Sequence, residues 1–453
     1  MKNLRYVLVL LFSIASPAIA EVSEAEFSEL KIQMLNLAER VRSLEIENAR
    51  LRGDQDEHLV DEQTPASANQ PVAKIDRKGF NIASPDSEYA IKIGTRLHAE
   101  GSTHSGDLPA GVDPNNGFEL RRARIETKGT LDKNWNWVAE VDLADNKVSL
   151  KDFWLGYKTQ NGTKLSFGHQ KQPFNLSLEM SSNDIPFIER SVDNYLVSPF
   201  MDRAIGFRAE NSGANWFAAA GVFGESVSPN ATTGDEGWGL TGRFVYSPVI
   251  KDNQVLHLGV RAATRRMASN SQNIRINDET THLSSLRIVD TGQLNGIESV
   301  DLLGAEAAYA LGAFSIVGEY NTLNSNGNGV ADADFDSWSI YSTWSLTGES
   351  RASSYRIDSG EFKRLTPASN FDAGNGTWGA WEIAIRYADI NLNDALIVGG
   401  EESVFTSALN WYPNTNIRFM LEWSHIVDTD DSTPLRQSAS GLDIYQFRTQ
   451  YTF

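Results

Sequence analysis

The chain has 453 residues, of which 59 are acidic, 40 are basic and none is cysteine, so its formal charge at pH 7 is −19. The absence of cysteine excludes disulfide scaffolds, thiolate zinc sites and cysteine nucleophiles. The acidic balance argues against a nucleic-acid partner, which would need a basic surface.

The first twenty residues have the features of a secretory signal peptide. Lys2 and Arg5 precede an apolar run at 6–15, and residues 18–20 form a small-residue cleavage site. We therefore predict that residues 1–20 are removed on export. Since no later apolar run approaches the length of a membrane helix, a membrane-inserted form of this chain would have to be a closed β-barrel.

Residues 21–53 carry an apolar repeat with alternating steps of three and four, which is typical of a coiled coil. The predicted seam consists of Phe27, Leu30, Met34, Leu37, Val41, Leu44, Asn48 and Leu51. A buried asparagine such as Asn48 can fix register and oligomeric state. We predict self-association through this segment. A lone amphipathic helix is the alternative, and the pattern leaves the choice between two and three strands open.

The composition changes after the predicted helix. Gly53 ends the apolar repeat, and the following residues are mostly polar, with Pro65 and Pro71 among them. Such a segment favours an extended chain without a packed core. We predict a flexible polar linker over residues 54–80.

From residue 81 to residue 453 the hydrophobic pattern has a period of two. In the last segment Tyr445, Phe447 and Tyr451 share one face, whereas Gln446 and Arg448 share the other. Alternation of this kind over about ten residues is the signature of a transmembrane β-strand. Aromatic residues concentrate near the ends of the predicted strands, where the two membrane interfaces of a barrel would lie, and this favours a barrel over a soluble sandwich.

Sixteen segments qualify as strands, and a further segment at 355–363 is interpreted as a loop because an even number is expected. The predicted fold is therefore all-β: a 16-stranded antiparallel transmembrane β-barrel, preceded by the short α-helical coiled coil. A barrel of this size leaves an aqueous lumen.

Several basic residues of the predicted polar faces fall on neighbouring strands. Arg96 belongs to the first strand and Arg121, Arg122 and Arg124 to the second, while Lys151 lies on a later polar face. Guanidinium groups in a narrow lumen lower the barrier for anions and can bind oxyanions through two hydrogen bonds. A solvated wall without specific binding is the alternative for each residue.

Residues 171–203 are the best candidate for a loop folded into the pore, because they contain three prolines and no sustained alternation. The candidate constriction residues within this loop are Glu179, Asn183, Asp184, Glu189 and Arg190. An acidic loop that faces a basic wall would create a transverse electric field. The alternative is an external loop that lies over the mouth.

A series of short motifs in the barrel region resembles the phosphate-selective porin O/P family. The motifs include FELRRAR at 118–124, VDLA at 141–144, LKDF at 150–153, KQPF at 171–174, SSND at 181–184, FIER at 187–190, TGESR at 347–351, GAWE at 379–382 and LNWY at 409–412. The resemblance extends from about residue 79 to residue 453.

This resemblance implies a homotrimeric, sixteen-stranded porin in the outer membrane of a Gram-negative bacterium, and some members of the family select phosphate or polyphosphate. It implies constriction roles for Arg96, Arg121 and Arg122. Where anion-specific members place a central lysine, this chain has Asn183. The coiled coil would then lie in the periplasm and clamp or space the trimer.

We therefore predict a water-filled channel for passive diffusion of small hydrophilic solutes, including anions such as phosphate. Its predicted partners are these solutes, outer-membrane lipid and further copies of itself, with no nucleic acid, cofactor or metal. No catalytic constellation is recognisable, so no enzyme is predicted. The alternative is an outer-membrane anchor or tether whose coiled coil binds a periplasmic or cell-wall partner.

Overall fold

The structure is a computed structural model. It describes residue 40 and residues 71–76, 79–227, 235–269, 271–327, 332–394 and 397–453. The chain divides into two units, 1–68 and 69–453, and the description that follows concerns the second. The predicted signal peptide, the predicted coiled coil and the predicted linker up to residue 70 lie outside the described residues, apart from Arg40, which is helical and exposed.

The second unit is built on a closed barrel. Of the eighteen strands in its main sheet, two form an attached hairpin and the other sixteen form the antiparallel wall, as predicted. The wall strands are β3 (Ala90–Ser105), β4 (Gly117–Leu131), β5 (Trp135–Asp142), β6 (Ser149–Lys158), β7 (Lys164–Lys171), β8 (Arg203–Ser212), β9 (Trp216–Phe223), β10 (Trp238–Lys251), β11 (Gln254–Arg266), β14 (Ile297–Leu311), β15 (Phe314–Gly327), β16 (Ala333–Ser345), β19 (Ala380–Asp394), β20 (Ile397–Tyr412), β21 (Ile417–Thr429) and β22 (Asp443–Thr452). The barrel closes where β22 pairs with β3, with Thr452 opposite Arg96.

Alternation along each strand separates the lumen from the outer surface, because successive side chains point to opposite faces. In β15, Ser315, Val317 and Glu319 face inward and are buried, whereas Phe314 and Tyr320 face outward and are exposed. Outward aromatic rings pair across strands, as Trp381 and Trp411 do. The inward side chains are buried although they face a lumen, so other parts of the chain must fill much of that lumen.

The remaining elements are not part of the wall. They are strands β1 (Val72–Asp76), β2 (Gly79–Ala83), β12 (Asn273–Ile274), β13 (Leu294–Asn295), β17 (Tyr355–Arg356) and β18 (Glu361–Phe362), α-helices Leu176–Glu179, Asn194–Met201 and Pro434–Ala439, and 3-10 helices Ala144–Asn146 and Arg351–Ser354. Among the described residues, no helix is long and apolar enough to cross a membrane.

The prediction of a flexible linker up to residue 80 is wrong for its last residues. Residues 72–76 and 79–83 are strands, and β1 and β2 form a hairpin that extends the sheet beside β3, with Phe80 opposite Ile93. Alternating apolar residues in β2 supply the strand pattern. The segment at 355–363, interpreted as a loop, contains the small hairpin of β17 and β18, which lies outside the wall and leaves the strand count unchanged.

The two ends of the barrel differ in the length of their connections. One end has short turns at 132–134, 159–163, 213–215, 252–253, 312–313 and 413–416, and the opposite end has long connections at 106–116, 172–202, 267–296 and 430–442. The segment 346–379 is a long exception at the short-turn end. In outer-membrane barrels short turns face the periplasm and long loops face the exterior.

Long connections fold inward and build the hydrophobic core inside the barrel. Leu196 and Val197 of one inner helix pack in a single buried cluster with Ile390 and Leu392 of β19 and with Ile276 of the segment 267–296. The cluster fills the lumen on the side of β14–β16 and β19. Space for a water-filled passage therefore remains toward the other side of the wall.

A fully buried ionic cluster joins the wall to this filling. Glu306 of β14 accepts hydrogen bonds from Arg243 Nη2 at 2.6 Å and from Arg261 Nη1 at 2.6 Å. Its Oε2 also accepts the backbone N–H of Leu176 at 3.0 Å. One carboxylate thus pairs with two arginines and fixes one end of the inward-folded connection 172–202.

Glu306→Ala should lower the free energy of unfolding by about 3–5 kcal/mol, because it leaves two buried guanidinium groups without their carboxylate. Urea unfolding of the refolded protein, followed by tryptophan fluorescence, measures this change. Glu126→Ala is the matched control, since Glu126 pairs with Lys128 in partial contact with solvent and should change stability by less than about 1 kcal/mol. Equal losses in both variants would contradict the anchoring role of Glu306.

Gly94→Val should weaken barrel closure. A Cβ at Gly94 would lie 2.7 Å from the carbonyl oxygen of Phe453, whose backbone exchanges hydrogen bonds with Thr95 at 3.1 and 3.2 Å. We expect a loss of about 1–3 kcal/mol from this overlap, visible as a lower temperature for the loss of the folded band in gels. Gly242→Val is the control, because its Cβ would meet its nearest neighbour, Ala219 O, at 3.9 Å. An unchanged transition in Gly94→Val would refute this reading.

Candidate pore constriction

The connection 172–202, called the pore loop below, lies inside the barrel and is held there by wall side chains. Besides its contact with Glu306, it donates the N–H of Ile188 to Glu422 Oε2 at 2.8 Å, and its Pro186 carbonyl accepts from Asn410 Nδ2 at 2.8 Å. These partners belong to β14, β21 and β20. Because the contacts reach several parts of the wall, the loop crosses the lumen and does not lie over the mouth.

Local interactions shape the start of the pore loop. The side chain of Asn175 caps the helix Leu176–Glu179 by accepting from Leu178 N at 3.2 Å. At the other end of this helix, Lys171 Nζ donates to the carbonyls of Leu178, Glu179 and Met180 at 2.6–3.1 Å. A cation is favourable there, since the last carbonyls of a helix lack partners and carry partial negative charge.

Glu189 is the centre of the ionic contacts between the pore loop and the wall. Its carboxylate accepts from Arg121 Nε, Arg122 Nη2 and Arg448 Nη2 at 3.0–3.1 Å. Burial raises the pKa of Glu189, but the three guanidinium groups outweigh that effect and hold its pKa well below the usual value. Glu189 is therefore ionised, and its single negative charge offsets part of the positive charge of Arg121, Arg122 and Arg448.

Arg121 and Arg122 are consecutive, yet both point into the lumen because β4 contains a β-bulge. Along the pairing of β3 with β4, His98 lies opposite Arg122 while the next residue, Ala99, lies opposite Leu120. Arg121 is thus an extra residue that has no paired residue on β3. A bulge of this kind interrupts the strict alternation of side chains and redirects them.

A second bulge lies nearby, between β5 and β6. Ala139 is opposite Phe153 and Val141 is opposite Leu150, so Lys151 and Asp152 together face Glu140 alone. Asp152 accepts from Arg203 Nη2 at 2.7 Å, and Lys151 lines the passage. Two irregular pairings therefore place adjacent charged residues on the same face at this level.

Two cavities lie along the lumen. The outer cavity has a volume of about 280 Å³ and is lined by residues of the long-loop end such as His282, and the inner cavity has about 460 Å³ and reaches Phe453 at the short-turn end. Arg124, Lys171 and Arg203 line both cavities. These three basic residues therefore mark the narrow passage from one to the other.

Basic residues outnumber acidic residues in both cavities. The outer cavity is lined by eight basic residues, Arg121, Arg122, Arg124, Lys151, Lys171, Arg190, Arg203 and Arg386, and by five acidic residues, Glu189, Asp202, Glu279, Glu402 and Glu422. The inner cavity is lined by Lys92, Arg96, Arg124, Lys128, Lys171, Arg203, Lys363 and Arg364 and by four acidic residues, Glu126, Glu140, Asp152 and Asp184. The passage is thus basic although the chain as a whole is acidic.

Most of the constriction residues expected from the sequence lie along this passage. Those that line the outer cavity are Arg121, Arg122, Arg124, Lys151, Glu189 and Arg190, and those that line the inner cavity are Arg96, Arg124, Asn183 and Asp184. Arg96 donates to Ser182 Oγ at 3.0 Å. Glu179 lines neither cavity and is instead paired with Arg208 at 3.1–3.2 Å.

The sequence reasoning missed Lys171 and Arg203 as lining residues. They are opposite one another in the pairing of β7 with β8, one on each side of the pore loop. The available signal was that the two ends of a loop between neighbouring strands must meet. Their contact with both cavities, however, depends on how the loop folds back, which no local pattern reveals.

Comparison with known proteins agrees with this architecture. The family model "Phosphate-selective porin O and P" matches residues 91–453. Porin O of Pseudomonas aeruginosa is 25% identical over 411 residues, which cover 83% of this chain and 91% of that protein. An uncharacterised protein of Caulobacter vibrioides is 30% identical over 351 residues, which cover 73% of this chain and 67% of that protein.

Solved structures support the fold. An anion-selective porin from Comamonas acidovorans aligns with a TM-score of 0.54 at 12% identity, over 81% of this chain and all of that one. The outer-membrane channel DcaP of Acinetobacter baumannii aligns with a TM-score of 0.52 at 9% identity, over 83% of this chain and all of that one. At such low identities the likeness concerns the fold alone.

The family match covers the barrel wall, the pore loop and both cavities, and it confirms the family resemblance of the short motifs. Members of this family are channels of the outer membrane. The protein is therefore an outer-membrane porin through which small hydrophilic solutes diffuse passively, and it belongs to the phosphate-selective porin O and P family.

Proposed function

We propose that this porin prefers anions and that the preference arises at the passage between the two cavities. The observation that carries the proposal is a set of four basic residues in the outer cavity, Lys151, Lys171, Arg190 and Arg386, that make no salt bridge within the described part of the chain. A permeating anion can interact with these charges without breaking an ion pair.

The carboxylates of the outer cavity only partly offset these four charges. Glu189, Asp202 and Glu279 are ion-paired with arginines, whereas Glu402 and Glu422 make no salt bridge among the described residues. Unpaired basic residues therefore outnumber unpaired carboxylates in this cavity by four to two. A wall with excess positive charge raises the local concentration of anions and lowers their barrier to entry.

We propose a general preference for small anions, with phosphate as one solute among several. Arg122 is bound to Glu189, Arg124 to Asp142, and Arg203 to Asp152, at 2.7–3.0 Å. A guanidinium group that already binds a carboxylate has fewer donors left to replace the water around phosphate. No catalytic step forms part of this proposal.

Lys151→Ala should shift the selectivity of the pore toward cations. Because Lys151 has no salt-bridge partner in the described chain, its removal leaves no carboxylate newly exposed to the passage. A unit charge several ångströms from a permeating ion changes the free energy of that ion by about 0.5–1 kcal/mol in a wet lumen, so we expect the chloride-to-potassium permeability ratio to fall by about two- to fivefold. The reversal potential in a planar bilayer under a KCl gradient measures this ratio.

The double variant Arg121→Ala/Arg122→Ala should give a larger shift, since it also leaves Glu189 with Arg448 as its remaining ionic partner. Lys133→Ala is the matched control, because it removes the same charge from an exposed turn that lines neither cavity. A cation preference in the unmodified porin, or equal reversal potentials in the unmodified porin and both cavity variants, would contradict the proposal.

We also propose that the porin is a homotrimer and that the predicted coiled coil at 21–53 clamps the trimer on the periplasmic side. The hairpin of β1 and β2 supports this location, because it pairs with β3 at the short-turn end of the barrel. The chain therefore enters the wall from the periplasmic side. The apolar seam of the repeat, including Asn48, suits association of helices.

Deletion of residues 22–52 should lower the temperature at which trimers dissociate in mild detergent and leave the single-channel conductance unchanged. The reason is that the deletion removes interhelical contacts while the lumen is formed by residues far along the chain. Asn48→Ala in the full chain is the companion variant, expected to retain association but lose its fixed register. Unchanged trimer dissociation, or loss of barrel folding, in the deletion variant would exclude a clamp that is separate from the pore.

A further inference from the structure

The outer cavity is covered in part by the connection 267–296, which joins β11 to β14. Four consecutive residues of this connection, Glu279, Thr280, Thr281 and His282, line the cavity from the exterior side. Residues on both sides of them, such as Ile276 and Ile288, belong to buried apolar clusters. The base of the connection is therefore fixed, and the segment 279–282 projects over the path of a solute.

Polar contacts hold this segment against the opposite part of the barrel. His282 Nδ1 lies 2.7 Å from Glu119 Oε2 of β4, and the hydroxyl of Tyr195 in the pore loop donates to the Glu279 carbonyl at 3.2 Å. Farther along, Asn115 Nδ2 donates to Ser285 Oγ at 3.1 Å. The segment thus bridges from the β11–β14 side of the barrel to β4.

Few polar contacts within the described chain hold the middle of this segment. The hydroxyl oxygens of Thr280 and Thr281 and the Oδ2 atom of Asp278 are buried and have no hydrogen-bond partner in the described chain. The other carboxylate oxygen of Asp278 accepts from the N–H groups of Ile288 and Val289 at 2.8 and 3.1 Å. Thr280 and Thr281 therefore add no hydrogen bonds within the described chain to the contacts made by Glu279 and His282, so weakening those contacts would release the segment.

We propose that residues 279–282 form a lid over the outer cavity, latched by the contact between His282 and Glu119, and that the lid is closed at acidic external pH and withdraws as the pH rises. This inference rests on the barrel being a conducting channel and does not depend on its proposed preference for anions. It adds a control on conductance to a pore whose ion preference is set deeper in the lumen.

The latch stabilises the closed lid when His282 is protonated. The hydrogen bond to Glu119 raises the pKa of His282 above its usual value, against the opposing effects of burial and of Arg121. The charged groups that face this histidine are Glu119 and Arg121 from β4 and Glu279 from its own segment. Because the pKa is raised in the closed form, the stabilisation is complete below a pH of about 6.5 and is lost as the pH rises through the raised pKa.

Asp278, next to the lid, acts in the same direction. Burial raises its pKa to about 7, and the charged groups around it are Glu402 from β20 and Arg287 from its own connection, with Arg436 from the helix Pro434–Ala439 bound to the nearby Ile288 carbonyl. The closed form therefore holds a proton that an open, hydrated form would release. Because its pKa is raised in the closed form, the stabilisation that Asp278 gives to that form is lost as the pH rises from about 4 through about 7.

The test is the conductance of the full-length porin in a planar bilayer with symmetric KCl, recorded at about pH 5 and about pH 8.5. We expect a lower mean conductance at the acidic pH. His282→Gln should raise the conductance at acidic pH, since the ionic latch is lost. Asp278→Asn should reduce the pH dependence of the conductance, because a neutral side chain of the same shape occupies that site at every pH while the latch of His282 still titrates.

Two controls carry the same chemical changes at residues that do not line the outer cavity. His425→Gln alters an outward-facing histidine that pairs with Asp443, and Asp372→Asn alters an exposed carboxylate in the connection 346–379. Both should retain the full pH dependence of the unmodified porin. Equal conductance of the unmodified porin at the two pH values, or an undiminished pH dependence in Asp278→Asn, would overturn the proposal.

A second measurement does not depend on these substitutions. Because the chain has no cysteine, Thr281→Cys can be labelled with a maleimide at each pH, and its rate can be divided by that of Ser432→Cys on an exposed loop to correct for thiol ionisation. The corrected rate should rise with pH if the lid withdraws, and a constant rate would refute the movement. Reversal potentials from the same bilayers test the ion preference separately, so failure of the lid and failure of the proposed function are distinguishable.

Discussion

The passage through this porin depends on hydrogen bonds between backbone N–H groups of the pore loop and carboxylates that project from the barrel wall. Glu306 and Glu422 each accept such a bond, and their strands lie at separate positions around the barrel. Without these acceptors the loop would have to bury unpaired donors, which is costly. The acidic residues of the wall therefore shape the pore first and influence its ions second.

The net charge of the chain is consequently a poor guide to the charge of its passage. Glu306 forms ion pairs with two buried arginines, and Glu189 forms ion pairs with the arginines that surround it. A permeating ion therefore meets the lining residues that form no such ion pair, which include Lys151 and Arg190. An acidic protein can in this way enclose a basic channel, because most of its carboxylates are solvated or form ion pairs with basic side chains.

The sequence could predict the barrel because the alternation of apolar and polar residues recurs in sixteen segments. This pattern depends only on neighbouring residues within each strand. It could also predict that Arg96, Arg122 and Arg124 face the lumen, since they occupy alternate positions on polar faces. It could not predict the passage marked by Lys171 and Arg203, nor the burial of Glu179 against Arg208, because these depend on contacts between residues brought together by the fold. Long-range pairing of this kind leaves no periodic trace in the chain.

The bulge at Arg121 determines which side chains of β4 face the lumen between the bulge and the long-loop end of the barrel. Below it Arg122 and Arg124 face inward, and above it Glu119 faces inward while Phe118 and Leu120 face outward. If β4 kept all of its residues but lost the bulge, strict alternation would turn this part of the strand inside out, with a carboxylate toward lipid and apolar side chains toward water. A single extra residue thus lets one strand supply both the arginines of the constriction and the acceptor at its mouth.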